Sequence, residues 1–255
     1  MFNLATLLLL AMLPALVSAQ PDRFALPSCT GPSLELANRS FFLLCYNSTL
    51  KVSLWAAHEL RPEYSGGPAA RPRLFRQDTE LSGPIARNAD YVGSGFSRGH
   101  LVPAEDLAWS DAAIRSTFLL SNAVPQAQAV NAGAWRRLEG AVRRIAASSD
   151  AVYVFTGPIF DNDAIERIGR GNIAVPSRTF KVLLVLIGGH KSMYAAILPN
   201  CTTGKESLSN FVTSVREVER QTGLDFFSGL EDIEEQTLEL SVDQGWPVVF
   251  TATAR

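Results

Sequence analysis

Two runs of strand length, Val152–Thr156 and Phe180–Ile187, are almost unbroken in apolar residues, and each is followed by glycine. A strand that is apolar on both faces must be covered on both faces, so these runs predict the buried centre of a sheet. Gly188-Gly189 then supplies a tight turn, and Tyr194–Leu198 reads as the antiparallel hairpin partner. Phe41–Cys45 and Val52–Leu60 add two early strands, followed by an exposed, basic Pro/Gly/Arg-rich loop over 61–72. Trp135, Leu138, Val142 and Ile145 recur at helical spacing within Asn131–Ala147. A second helix is expected over Ser207–Thr222, with Phe211, Val215 and Val218 inward and Gly223 as its C-cap. Strands and helices do not alternate regularly, so the class is α+β, and no repeat or linker divides the chain. At 47% hydrophobic and 19% charged over 255 residues, there is enough apolar material for one sizeable core, assigned to 20–255.

Leu4–Val17 is apolar apart from Thr6 and ends in Val17-Ser18-Ala19, and the first charged residue is Asp22. The run is shorter than the roughly 20 residues a membrane span needs, and it predicts a signal peptide over 1–19 with no stable membrane association after cleavage. Export to a secreted or periplasmic location places Cys29, Cys45 and Cys201 in an oxidising compartment. Cys29 and Cys45 are the expected pair, because they are near in sequence and Thr30-Gly31-Pro32 lets the chain double back. Asn38-Arg-Ser, Asn47-Ser-Thr and Asn200-Cys-Thr are glycosylation sequons.

Net charge is −2, so no global positive field advertises a polyanion, yet Lys51, Lys181, Lys191 and Lys205 are the only lysines among 23 basic residues. Arginine, whose planar fork matches phosphate, makes up the rest. Histidine occurs only at His58, His100 and His190, and no His-Glu-x-x-His, Cys-x-x-Cys or Walker loop is present. His58 reads as a strand-surface residue and His190 as part of a hairpin turn. His100 differs, because it ends Gly95-Phe96-Ser97-Arg98-Gly99-His100. A phosphate-binding arginine two residues from an imidazole suits phosphodiester hydrolysis, with the neutral ring deprotonating a water. Downstream, Asn131 and Glu139 stand eight residues apart, about 80° around a helix, and can share a face. Such oxygen donors suit Mg²⁺, which keeps most of its waters and takes one or two protein ligands.

These residues resemble the DNA/RNA non-specific endonuclease family, the ββα-metal or His-Me finger nucleases. The family pattern Asp-Arg-Gly-His, then Leu-Ser-Asn-x-x-Pro-Gln, then Asn-x-Gly-x-Trp-x-x-Leu-Glu is matched at 97–100, 120–126 and 131–139, and 217–227 matches a further stretch ending Thr-Gly-Leu-Asp-Phe-Phe. The resemblance implies a central antiparallel sheet flanked by helices, with the His100 strand and the Asn131 helix in a ββα-metal finger. It implies His100 as general base, Asn131 as the direct Mg²⁺ ligand with Mn²⁺ as a substitute, and Glu139 as holder of a metal-bound water. Arg98, Asn122 and Arg143 would assist at phosphates, joined by Arg71 or Arg73. DNA and RNA would be the substrates, cut to leave 5′-phosphate ends. A homodimer is compatible with the resemblance, and any inhibitor protein is left unnamed.

Ser97 stands where the pattern usually has Asp, although one branch of the family also shows Ser-Arg-Gly-His. Gly95-Phe96-Ser97-Arg98-Gly99 also fits Gly-x-Ser-x-Gly, which would make Ser97 the nucleophile of a serine hydrolase. Against that, Pro103 falls where the elbow's helix must begin. The third alternative is an inactive family member that only binds nucleic acid, and intact His100 and Asn131 argue against it.

Overall fold

The computed structural model describes residues 23–64, 66–161 and 165–242, so the signal-peptide reading of 1–19 lies outside the described residues. The strands are β1 (Leu34–Asn38), β2 (Leu43–Asn47), β3 (Val52–Leu60), β4 (Phe96–His100), β5 (Ala123–Ala127), β6 (Ala151–Ile159), β7 (Arg167–Ile168), β8 (Ile173–Ala174), β9 (Arg178–Ile187), β10 (His190–Pro199) and β11 (Val212–Thr213). The α-helices are α1 (Asn88–Tyr91), α2 (Asp111–Thr117), α3 (Gln128–Val130), α4 (Arg136–Ala146), α5 (Val215–Thr222) and α6 (Asp232–Leu240). Seven strands form one sheet in the order β1-β2-β3-β6-β9-β10-β11, and every neighbouring pair is antiparallel.

The two apolar runs are the middle of this sheet, where β6 pairs with β9 from Ala151↔Leu186 to Ile159↔Arg178. Alternation sends Tyr153, Phe155, Phe180, Val182 and Leu184 to one face, against Val215 and Val218 of α5 and Phe226 and Phe227. Val152, Val154, Leu183 and Val185 go to the other, against Trp135, Leu138, Val142 and Ile145. Burial on both faces explains why neither run shows a polar alternation. Beside α4 on that second face, the β4–β5 ribbon packs Leu101, Val102 and Val124 over Leu44, Val52 and Ala56. Gly188 and Gly189 carry the β9–β10 hairpin turn with φ of +55° and +84°, a conformation costly for other residues.

Cys29 and Cys45 are disulfide-bonded, as their spacing predicted, and Cys201 is free and exposed. Two expectations are corrected. The helix expected over Ser207–Thr222 is a 3₁₀ turn at Leu208–Phe211, then β11, then α5. The break falls where Val212 and Thr213 pair with β10, and where the Ser214 side chain accepts from Glu217 N–H and caps the real helix. His58 is no surface residue: its strand is covered on both faces, and its ring has 0% exposure.

Candidate active site

The antiparallel β4–β5 ribbon places His100 opposite Ala123 and Gly99 opposite Val124. Gly99 is required by space, since a Cβ there would lie 2.4 Å from Gln126 Oε1. Immediately after His100 the chain is pinned by Asn122. Its Oδ1 accepts from Val102 N–H at 2.9 Å, and its Nδ2 donates to the carbonyls of Val102 at 3.0 Å and Thr117 at 2.9 Å. The expected phosphate role of Asn122 is therefore not what its geometry offers; the amide is buried and spent on backbone.

The His100 ring lies between Phe75 and Phe118, with ring centroids 4.7 and 4.8 Å away. Its Nε2 is buried with no hydrogen-bond partner among the described residues. Burial first, and then the nearby Arg71 cation, push its pKa down to about 3, so the ring is neutral at ordinary pH.

Asn131 opens a single π-helical turn, Asn131–Trp135, between α3 and α4. Gly133 makes the turn irregular, with φ −105° and ψ −106°, and a Cβ on it would meet Gly204 O at 2.6 Å. Wide turns of this kind inside helices are frequent at functional sites. The turn is anchored from behind by Asn200, whose Oδ1 accepts from Ala127 N–H and whose Nδ2 donates to the carbonyls of Pro125 and Pro176. This use of the Asn200 amide, buried at 8% exposure, leaves its sequon without a free acceptor nitrogen in the folded chain.

One cavity of about 210 Å³ brings these parts together; it is lined by Arg71, Phe75, Arg98, His100, Glu105, Asn131, Arg136 and Glu139 among others. Asn131 and Glu139 do share its wall. Arg98 lies 4.9 Å over the Tyr91 ring and donates from Nη2 to Asn88 O at 2.7 Å. Arg71 lies 5.3 Å from the Phe118 ring centre and donates from Nη1 to Glu105 at 2.5 Å. Arg73 is exposed and off this wall, so of the two arginines only Arg71 lines the cavity. Arg143 is also absent from the wall; its Nη1 donates to buried Asp106 at 2.8 Å. Ser97 sits in mid-strand opposite Gln126, and His190 is exposed at the far hairpin. The strand–turn–helix elbow of a serine hydrolase is therefore missing.

Sequence reasoning missed Arg136 and Glu105 on this wall, and Asp106, His58 and Lys181 beneath it. Arg136 carried a signal, since it precedes Glu139 by three residues on the same helical face. Burial pushes the Glu139 carboxyl up and the Lys181 ammonium down, each moderated by the other's charge. Asn131, Glu139 and Glu105 present an oxygen-rich wall, and such donors fit a hard, partly hydrated divalent cation.

A family model described as DNA/RNA non-specific endonuclease matches residues 20–233. The chain belongs to that family. As a family member it is a nucleic-acid-hydrolysing endonuclease built on the mixed α/β, ββα-metal fold. Human mitochondrial endonuclease G is 37% identical over 205 residues, covering 75% of this chain and 69% of that protein. Nuclease C1 of Cunninghamella echinulata var. echinulata is 34% identical over 216 residues, covering 79% and 86%. The crystal structure of the EndoG/EndoGI complex, a study of EndoG inhibition, matches with a TM-score of 0.75 at 28% identity, over 86% of this chain and 94% of that one.

Proposed function

We propose that this endonuclease is a secreted or periplasmic, Mg²⁺-dependent enzyme that hydrolyses DNA and RNA with little sequence preference, using His100 as general base. The observation that carries the reading is the neutral His100 ring on the wall of one cavity with Asn131, Glu139 and three arginines. The neutral ring, 8% exposed and on the cavity wall, can accept a proton from a water held there, and the rings of Phe75 and Phe118 hold its orientation. Arg71, Arg98 and Arg136 orient the scissile phosphate and balance its charge. Asn131 would hold the cation directly and Glu139 through its outer shell. When bound there, Mg²⁺, or Mn²⁺ in its place, supplies Lewis-acid stabilisation of charge on the leaving 3′ oxygen.

The test is cleavage of supercoiled plasmid and of RNA by the purified chain in Mg²⁺ buffer and in EDTA, beside His100→Ala. The parent should cut both polymers only without EDTA, and the variant should lose at least about 100-fold in rate. Undiminished cleavage by His100→Ala would remove the base assignment, and activity that survives EDTA would remove the metal.

A further inference from the structure

Beneath the cavity lies a chain of buried polar groups to which hydrolysis assigns no task. His58 Nε2 is 3.0 Å from Asp106 Oδ2, and Arg143 Nη1 donates to Asp106 Oδ1 at 2.8 Å. His58 has 0% exposure and Asp106 1%. The three side chains come from separate elements. His58 is on β3, the third strand of the sheet and a neighbour of central β6. Asp106 is on the 3₁₀ turn Ala104–Leu107, whose neighbours Pro103, Ala104 and Glu105 line the cavity. Arg143 is on α4, one turn beyond Glu139. With His58 Nδ1 buried and partnerless, only Nε2 engages the carboxylate, and the bond to Asp106 selects the tautomer with hydrogen on Nε2.

From this geometry we infer that Asp106 is a positioning residue for the reaction and that Arg143 acts through it rather than on the substrate phosphate. The inference rests on the nuclease reading. Asp106 ties the sheet, the cavity wall and α4 at a single carboxylate, and that tie sets where Glu139 stands relative to His100. Buried ion pairs contribute little net stability compared with apolar packing. A fixed position is what this arrangement supplies. Swinging the Arg143 guanidinium off Asp106 to a substrate phosphate would leave a buried carboxylate without its cation.

Steady-state kcat and KM on polynucleotide, with thermal melts, are measured for the full chain carrying Arg143→Met, Arg143→Lys, Asp106→Asn and the Asp106→Asn/Arg143→Met double change. Each of Arg143→Met and Asp106→Asn should lower kcat about 10- to 100-fold with KM within about threefold, as residues that support a site typically do. Arg143→Lys, which keeps the charge on Asp106, should recover part of the loss. The double variant should be little worse than the poorer single, because both changes break the same tie. A KM rise with kcat intact in Arg143→Met, or losses that multiply in the double variant, would overturn the inference in favour of direct phosphate binding. If Asp106→Asn does not fold, the KM and kcat pattern of Arg143→Met against Arg143→Lys decides alone. A parent that cuts neither DNA nor RNA would instead refute the nuclease reading.

Discussion

His100 sits in an apolar sleeve, which has a consequence for stability as well as for chemistry. Unfolded, the imidazole titrates near 6.5; folded, it is held at about 3. Between those values the unfolded chain binds more protons at this site, so its contribution is intact above pH 6.5 and is lost as pH falls towards 3. At pH 5 the loss should be about 2 kcal/mol. Urea unfolding of the metal-free parent at pH 7.5 and 5.0 should show it, and His100→Gln should remove that part of the difference; an equal acid loss in both proteins would contradict the assignment. His58 presents the opposite case for mutation. Because His58→Ala leaves one oxygen of buried Asp106 without its hydrogen bond, it should cost about 1–3 kcal/mol, whereas exposed His190→Ala should be near neutral in thermal melts. His100 was legible because Arg98, Gly99 and His100 are contiguous and chemically suggestive. His58 was not, since in Trp55-Ala56-Ala57-His58-Glu59-Leu60 both faces are buried and no alternation marks which polar residue lies inside.

At the scale of elements, the site depends on a helix that does not start regularly. The spacing of Trp135, Leu138, Val142 and Ile145 revealed α4, but the π turn at Asn131–Trp135 is set by long-range contact with Gly204 and by Asn200, which no local pattern encodes. The same limit explains Ser207–Thr222, where pairing of β11 with β10 overrides a helical periodicity. Removing the Asn200 amide in Asn200→Ala strands Ala127 N–H and the carbonyls of Pro125 and Pro176, at about 1–3 kcal/mol for each buried group left unpaired. That variant should melt lower and also need more Mg²⁺, because the released backbone leads directly into Asn131. Asn131→Ala separates the two effects: its side chain caps none of the helices it adjoins, so its Mg²⁺ titration should shift strongly while its melting temperature stays near the parent's. An unshifted curve in Asn131→Ala would remove it from the cation site.

Across the whole molecule the seven-stranded sheet is a partition. The β4–β5 ribbon, α4 and the cavity lie on one face, while α5, Phe226, Phe227 and the segment holding Phe24 and Cys29 pack on the other. The order of strands in this sheet was not readable from the chain, because β1 is short and half-exposed and β3 reaches β6 across more than 90 intervening residues. The disulfide was readable, and it belongs wholly to the face away from the cavity: Cys45 packs beside Trp55 and Ala57. Its contribution should therefore be to stability and not to turnover. Closing a loop with a sequence separation of 16 corresponds to about 3 kcal/mol in the chain-entropy account. For a chain of this size, that is a drop in melting temperature of roughly 6–12 °C. A Cys29→Ser/Cys45→Ser double variant should show this drop in calorimetry, and below its melting point it should cleave DNA with the parent's kcat. Only the reaction's upper temperature limit should fall. A variant equally stable but slower would mean that strain crosses the sheet from one layer to the other, and that the two faces are not independent.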